Sequence, residues 1–168
     1  QSACQKISFK EVFMRVGIGY DIHRFVDGRP LMLGGVEIPH IKGLEGHSDG
    51  DALLHAICDA ILGAGGLDDI GHQFPVNDAR YLNISGAELL KEVSEKIKKK
   101  GFYVEYVDSV IILEEPKIAP FKDRMRSEIA AALNIDINNI SVKATTQEGI
   151  GAIGRGEALA AYAIACLA

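Results

Sequence analysis

Basic residues are in the minority in this chain: 18 Lys and Arg stand against 23 Asp and Glu, for a net charge of −5 and a pI near 5.5. A nucleic-acid groove or an anionic membrane surface needs clustered cations to displace counterions, so neither is expected as a partner. Any phosphate recognition must therefore be local. The three cysteines, Cys4, Cys58 and Cys166, have no short metal-ligand or redox spacing, and their odd number does not suit a disulfide scaffold. A reducing compartment is expected, either a bacterial cytoplasm or the stroma of a plastid. No apolar run approaches the ~20 residues that span a bilayer, and no apolar export core stands at the N-terminus, so the chain reads as soluble. Internal repeats and linker-like stretches are also missing.

What is present suits one domain: 168 residues, of which 48% are hydrophobic, enough for a sizeable core. Residues 1–13 carry no motif and read as a tag, a transit remnant or a native extension, with the domain over 14–168. Residues 14–21 form a short apolar run with glycines at 17 and 19 and read as a buried strand. Residues 31–33 and 36–38, separated by Gly34 and Gly35, read as a hairpin. A polar stretch over 42–50 leads to a helix over about 51–62, with Ser48 and Asp49 as candidate caps and Gly63, Gly65 and Gly66 as its stop. Residues 66–83 read as a long functional loop. An amphipathic helix over 85–100 follows, its lysine-rich last turn favoured by the helix dipole. Then come a strand over 104–113, a helix over 120–133 and a strand over 140–146. Residues 157–167 fit either helix, by alanine content, or strand, by position. Helices interleaved with strands imply an α/β or α+β sandwich with helices on one face of a mixed sheet.

Three clusters carry chemistry. Asp21 and His23 stand at i and i+2 at the end of the first strand, so both side chains leave the same face and can converge on one ion. The same pattern also occurs as a hydrogen-bonded turn. On the next helix Asp51, His55 and Asp59 recur every four residues on one face. An exposed polar face would give that pattern; the functional reading makes His55 a third ligand, oriented by Asp51 or Asp59. One carboxylate and two imidazoles suit zinc and leave a fourth position open, which means catalysis or ligand binding. His40 and His72 have no partner pattern and read as bystanders. Thr145, Thr146 and Glu148 close the third cluster at a strand end, where two hydroxyls and a carboxylate can hold phosphate oxygens and Mg²⁺ or a similar hard cation.

The run from Gly149 to Gly154 matches the dinucleotide fingerprint letter for letter but fails on context. That motif must open a βαβ unit with an acidic residue about 20 positions on, and here the chain ends first. Its glycines more plainly let backbone approach a ligand or a neighbouring subunit.

Taken in order, Gly-x-Asp-x-His, Gly-His-Ser-Asp-Gly-Asp-x-x-x-His, Asp-Ile-Gly-x-x-Phe-Pro, Pro-Lys, Lys-Ala-Thr-Thr-x-Glu and Gly-Arg-Gly-Glu closely resemble the 2-C-methyl-D-erythritol 2,4-cyclodiphosphate synthase family, from about residue 14 to the C-terminus. The resemblance implies a mixed four-stranded sheet with helices on one face, in a chorismate-mutase-like subunit that forms a homotrimer with active sites at its interfaces. It implies zinc on Asp21, His23 and His55, and Mg²⁺ or Mn²⁺ on Glu148. His47 would stabilise the transition state and, with Ser48, lie on a mobile loop over the substrate; Thr146 would join His47 in catalysis. Asp69, Ile70, Gly71, Phe74 and Asp78 would face the methylerythritol part. Leu113, Pro116, Lys117, Ile118 and Ala119 would take the cytosine nucleotide. Thr145 would hold its diphosphate, with Arg155 near the phosphates or the subunit axis. The implied reaction is intramolecular closure of a cyclic diphosphate with loss of CMP, in non-mevalonate isoprenoid precursor synthesis.

Two departures stand out from the family pattern: Val76 where an acidic residue is common, and Ala152 where an aromatic is common. Two rival functions use the same residues. A zinc hydrolase acting on a nucleotide diphosphate would activate water at the open position. A nucleotide-binding scaffold would use the metal structurally and needs a fourth protein ligand, for which no cysteine lies near.

Overall fold

The structure, a computed structural model, describes residues 14–75, 81 and 84–168. Four long strands and one short one make a sheet: β1 (Arg15–Asp27), β4 (Lys42–Leu44), β5 (Val104–Ile112), β6 (Ile140–Thr145) and β7 (Ala158–Leu167), in the order β4-β1-β7-β5-β6. Only the β5–β6 pair is parallel, so the sheet is mixed. β2 (Leu31–Leu33) and β3 (Val36–Ile38) form the expected hairpin across Gly34 and Gly35, both at positive φ. Helices α1 (Ala52–Ala64), α3 (Gly86–Lys99) and α4 (Lys122–Leu133) cover one face, with single-turn helices α2 (Ile70–Gln73) and α5 (Gly151–Gly154) in the connections.

The expected four-stranded sheet has a fifth strand because β1 runs six residues beyond Asp21. Its extra length is paired by β4, Phe25 opposite Leu44. The polar letters after Asp21 hid that continuation, since only one of its faces is buried. The sequence from 157 on is strand and not helix: Tyr162 and Ile164 point outward while Ala161, Ala163 and Ala165 are buried. That period of two decides against helix whatever the alanine content. Small residues there also leave room for α1, whose Leu53, Leu54, Ile57, Ile61 and Leu62 are buried between the sheet and α3. A helix apolar nearly all round is an interior helix. Only His55, Asp59 and Gly63 of α1 escape full burial, and they form one stripe.

Ser48 and Asp49 do not cap α1. Asp51 does, accepting from Leu54 N at 3.0 Å, because Gly50 at φ +74° turns the chain only after them. Asp51 also accepts from Gly34 N and Gly35 N, tying the hairpin to the helix start. α3 opens with a reciprocal capping box of Ser85 and Glu88 and buries Leu89, Leu90, Val93 and Ile97. The helix expected over 120–133 begins with a 3₁₀ turn at Ala119–Phe121. The stretch over 66–83 is partly helical at α2, and residues 76–80, 82 and 83 lie outside the described residues. In the glycine run, a Cβ on Gly154 would lie 2.1 Å from the Gly149 carbonyl carbon, so those glycines serve a tight internal turn leading into antiparallel β7.

Candidate metal centre and flanking pockets

Two glycines determine how closely α1 approaches β1. A Cβ on Gly17 would stand 2.1 Å from the Ala60 carbonyl oxygen, and one on Gly19 would stand 1.9 Å from that of Ala56. Asp21 and His23 continue the same face of the strand at the next two alternate positions. His55, one residue before Ala56, then meets them. His23 Nε2 lies 2.7 Å from Asp21 Oδ2, His55 Nδ1 lies 2.9 Å from that oxygen, and the two nitrogens are 3.3 Å apart. The Asp-x-His pair thus sits within β1, not at its end.

The outer nitrogens are already engaged. His23 Nδ1 contacts the Glu45 carbonyl, and His55 Nε2 lies 3.1 Å from Ser48 Oγ. When both ring N–H groups donate outward, the inner nitrogens present lone pairs toward the same point as the Asp21 carboxylate. Three acceptors facing one another need a cation between them. A tetrahedral ion with nitrogen bonds of about 2.0–2.1 Å separates its ligands by about 3.3–3.4 Å, which the two nitrogens match and the carboxylate oxygen approaches. The donor set fits a divalent metal. With the inner nitrogens protonated instead, burial works against charge on Asp21, but hydrogen bonds from His23 and His55 outweigh it and hold the carboxyl well below its usual range. Burial likewise opposes charge on His23, yet the Asp21 carboxylate raises its pKa. The partner of His55 is therefore Ser48, not Asp51 or Asp59. Asp51 is engaged with the hairpin, and Asp59 Oδ1 accepts from Ile70 N at 2.8 Å.

A cavity of about 260 Å³ opens beside these ligands, lined by His47, Ser48, Asp59, Ile70, Gly71 and Phe74 among others. Five expected residues, His47, Ser48, Ile70, Gly71 and Phe74, therefore reach the same cavity as the metal ligands. Asp69 does not: it caps α2 and pairs with His72 at 2.9 Å on the exposed side. Asp78 and Val76 lie outside the described residues. Tyr81, Ile84 and Leu89, which had no sequence signal beyond hydrophobicity, add an apolar wall, with Tyr81 edge-on to Phe74. Asp59 holds the Ile70 end of that wall, and burial pushes its pKa up, helped by the charges of Asp69 and Asp21.

A second cavity, of about 250 Å³, gathers Leu113, Pro116, Lys117, Ile118, Ala119, Thr145 and Thr146, joined by Glu114, Lys122 and Ala144. Glu148 stands beside it at φ +53°, accepting from the Thr146 hydroxyl at 2.9 Å. A left-handed conformation in a residue with a side chain is uncommon and needs support. Glu114 supplies it: its Oε1 accepts from Gln147 N at 2.8 Å and Gly149 N at 3.2 Å, the amides on either side of Glu148. Arg155 lies in neither cavity. It pairs with Glu157 at 2.7 Å and lines a separate hollow with His40 and Glu115. Ala152 is exposed on α5. Among the described residues no helix is long and apolar enough to cross a membrane.

Known proteins match nearly the whole length of this chain. The profile of the YgbB family matches residues 14–168. The 2-C-methyl-D-erythritol 2,4-cyclodiphosphate synthase of Desulfatibacillum aliphaticivorans is 54% identical, over 92% of this chain and 99% of its own. That of Alkaliphilus oremlandii is 56% identical, over 92% and 98%. Among solved structures, the bifunctional IspDF of Campylobacter jejuni superposes with a TM-score of 0.88 at 43% identity, covering 92% of this chain and 42% of that one. The CDP complex of IspF from Plasmodium falciparum gives 0.80 at 38%, covering 92% and 95%.

Proposed function

The chain belongs to the YgbB family, and from that premise we propose that it closes the ring its relatives are named for, converting 4-diphosphocytidyl-2-C-methyl-D-erythritol 2-phosphate to 2-C-methyl-D-erythritol 2,4-cyclodiphosphate and CMP. It is a phosphorus–oxygen lyase of isoprenoid precursor synthesis. The observation that carries the assignment is the Asp21–His23–His55 triangle opening onto a cavity that also holds His47 and Ser48.

In the reaction an oxygen of the substrate's 2-phosphate attacks the β-phosphorus of its CDP group. One P–O bond forms, the bond from that phosphorus to the bridging oxygen breaks, and CMP leaves with the electron pair. A phosphate ester is largely ionised near neutral pH, so the nucleophile needs no strong general base. Positioning dominates instead. Well-oriented intramolecular reactions gain about 10⁵–10⁸ in effective molarity, against about 10²–10⁴ for general acid–base help, so a site without a nucleophile–base triad forgoes the smaller term. The residues divide that work. Ile70, Gly71 and Phe74 hold the methylerythritol part, with Asp78, and Asp69 places Ile70 and Gly71 by capping their turn. Leu113, Pro116, Lys117, Ile118 and Ala119 take the cytosine nucleotide. Thr145 and Thr146 orient its diphosphate. His47 donates to charge developing on phosphate oxygens, and Ser48 steadies His55. Asp21, His23 and His55 would hold zinc and Glu148 would hold Mg²⁺ or Mn²⁺, which when bound supply Lewis-acid neutralisation of the mutually repelling phosphates.

The same reading makes the enzyme a homotrimer with active sites between subunits. An apolar row on the helix-free face of the sheet, Val16, Ile18, Tyr20 and Ile22 of β1 beside Tyr162 and Ile164 of β7, supports it. Mass spectrometry of the product formed with zinc and magnesium tests the reaction: the cyclic diphosphate with CMP is expected, whereas an opened diphosphate would mean hydrolysis instead.

A further inference from the structure

Arg29 lines neither cavity, yet its guanidinium reaches the loop that enters the first. Nη1 donates to the Gly46 carbonyl at 2.6 Å and Nη2 donates to the Ser48 carbonyl. These are the peptide oxygens on either side of His47. We propose that Arg29 is a positioning residue that fixes His47 toward the substrate by gripping both of its neighbours, leaving the imidazole itself free. The inference rests on the role given above to His47.

Three observations bear on it. His47 lines the cavity but makes no hydrogen bond of its own among the described residues, so its placement comes from the backbone around it. That backbone is intrinsically loose, with glycine at both ends of the stretch and Gly50 at φ +74°. Arg29 in turn has a fixed base: a Cβ on Gly43 of β4 would stand 2.5 Å from the Arg29 carbonyl oxygen, so the strand packs directly against it. The far end of the loop is fixed separately, where Asp49 Oδ2 accepts from Gly86 N at 2.8 Å. Ser48 is also tied through its side chain, to His55 Nε2 and Gly50 N, and the guanidinium adds the hold on the backbone carbonyls either side of His47. A planar fork with two parallel N–H vectors can hold two carbonyls at once, which an ammonium cannot do in fixed geometry.

The test is a double-mutant cycle in the zinc- and magnesium-loaded enzyme, with kcat, KM and zinc content measured for Arg29→Ala, His47→Ala and the double variant. A misplacement of the order of 1 Å can cost about a hundredfold in rate, so Arg29→Ala is expected to lower kcat by about ten- to a hundredfold while KM changes far less and zinc content stays whole. In the His47→Ala background the same change should cost nothing further. Arg29→Lys, able to hold one carbonyl at a time, should fall between wild type and alanine; it also supplies the cycle should Arg29→Ala lose zinc or fail to fold. Multiplicative losses in the double variant would overturn the inference while leaving the role of His47 intact. A wild-type kcat in His47→Ala would remove that role and the inference together.

Discussion

Gly19 lies so close beneath Ala56 that any side chain on it would run into the helix backbone, 1.9 Å from the Ala56 carbonyl oxygen. Backbone atoms cannot turn aside as a flexible side chain can, so the strain must be relieved by moving α1 off β1. Because β1 contributes Asp21 and His23 while α1 contributes His55, that movement separates the metal ligands. Gly19→Ala is expected to cost about 1–3 kcal/mol of stability and to release zinc, read by thermal unfolding and by metal analysis. Gly63→Ala is the control: it lies on the same helix with open space around its Cβ. It should gain up to about 1 kcal/mol from helix propensity and keep its zinc.

Asp51 is wholly buried and takes three backbone N–H groups, from Gly34, Gly35 and Leu54. Asp51→Ala removes the cap of α1 and leaves two hairpin amides without a partner, a loss of roughly 3–7 kcal/mol from a cap worth about 1 and unsatisfied groups worth about 1–3 each. A pH signature accompanies it. Burial raises the Asp51 pKa, chiefly by penalising the charged form, though the three N–H groups oppose that. A carboxyl raised on folding binds its proton more tightly in the native state, so its contribution falls as pH rises from about 4, the unfolded value, through the raised native one. Urea unfolding at stepped pH should show wild type losing ground to Asp51→Asn over that interval, since the amide does not titrate.

How much of this could be read from the letters depends on which groups do the work. Asp21, His23 and His55 were legible because side-chain direction follows directly from the periods of strand and helix. The length of β1 was not, because its second half is buried on one face only and its Arg, His and Asp resemble a loop. The cap of α1 is Asp51, two to three residues after the candidates Ser48 and Asp49, since the delay comes from the left-handed turn at Gly50. Ser48 as partner of His55, and Arg29 and Glu114 as brackets, left little or no trace. Arg29 and Glu114 act on carbonyls and amides, which every residue has and no side-chain pattern marks.

Glu114 brackets Glu148 as Arg29 brackets His47, with the polarity reversed: a carboxylate holds the two amides flanking the residue, in the manner of an anion seated among successive N–H groups. Its hold adds to the local bonds between Glu148 and Thr146 Oγ1 that also support Glu148 at φ +53°. Glu114→Ala should weaken Mn²⁺ binding in the presence of CDP by about 1 kcal/mol, close to fivefold, the net worth of about one such hydrogen bond. Glu114→Gln, which keeps an acceptor oxygen, should recover most of it. Electron paramagnetic resonance of bound Mn²⁺ reads both, and equal binding in wild type and Glu114→Ala would count against the bracket.

The apolar face of the sheet separates two requirements that the intact enzyme combines. Asp21, His23 and His55, the three side chains that could hold a metal ion, come from one chain, within 3.3 Å of one another, so metal binding should not depend on assembly. Turnover should depend on it if active sites lie between subunits. Ile18 is 69% exposed on this face, and its side chain points away from α1, so Ile18→Glu leaves the core untouched while placing a charge in the middle of the proposed interface, where desolvating it is unfavourable. The expected product is a folded monomer by analytical ultracentrifugation, with one zinc per chain and no detectable cyclic product. Chelating that zinc should then lower its melting temperature, because an ion bound only by the native state stabilises it by mass action. A monomer that still makes the cyclic product would show that each chain holds a complete site; a trimer that tolerates the glutamate would show that the contact is made elsewhere.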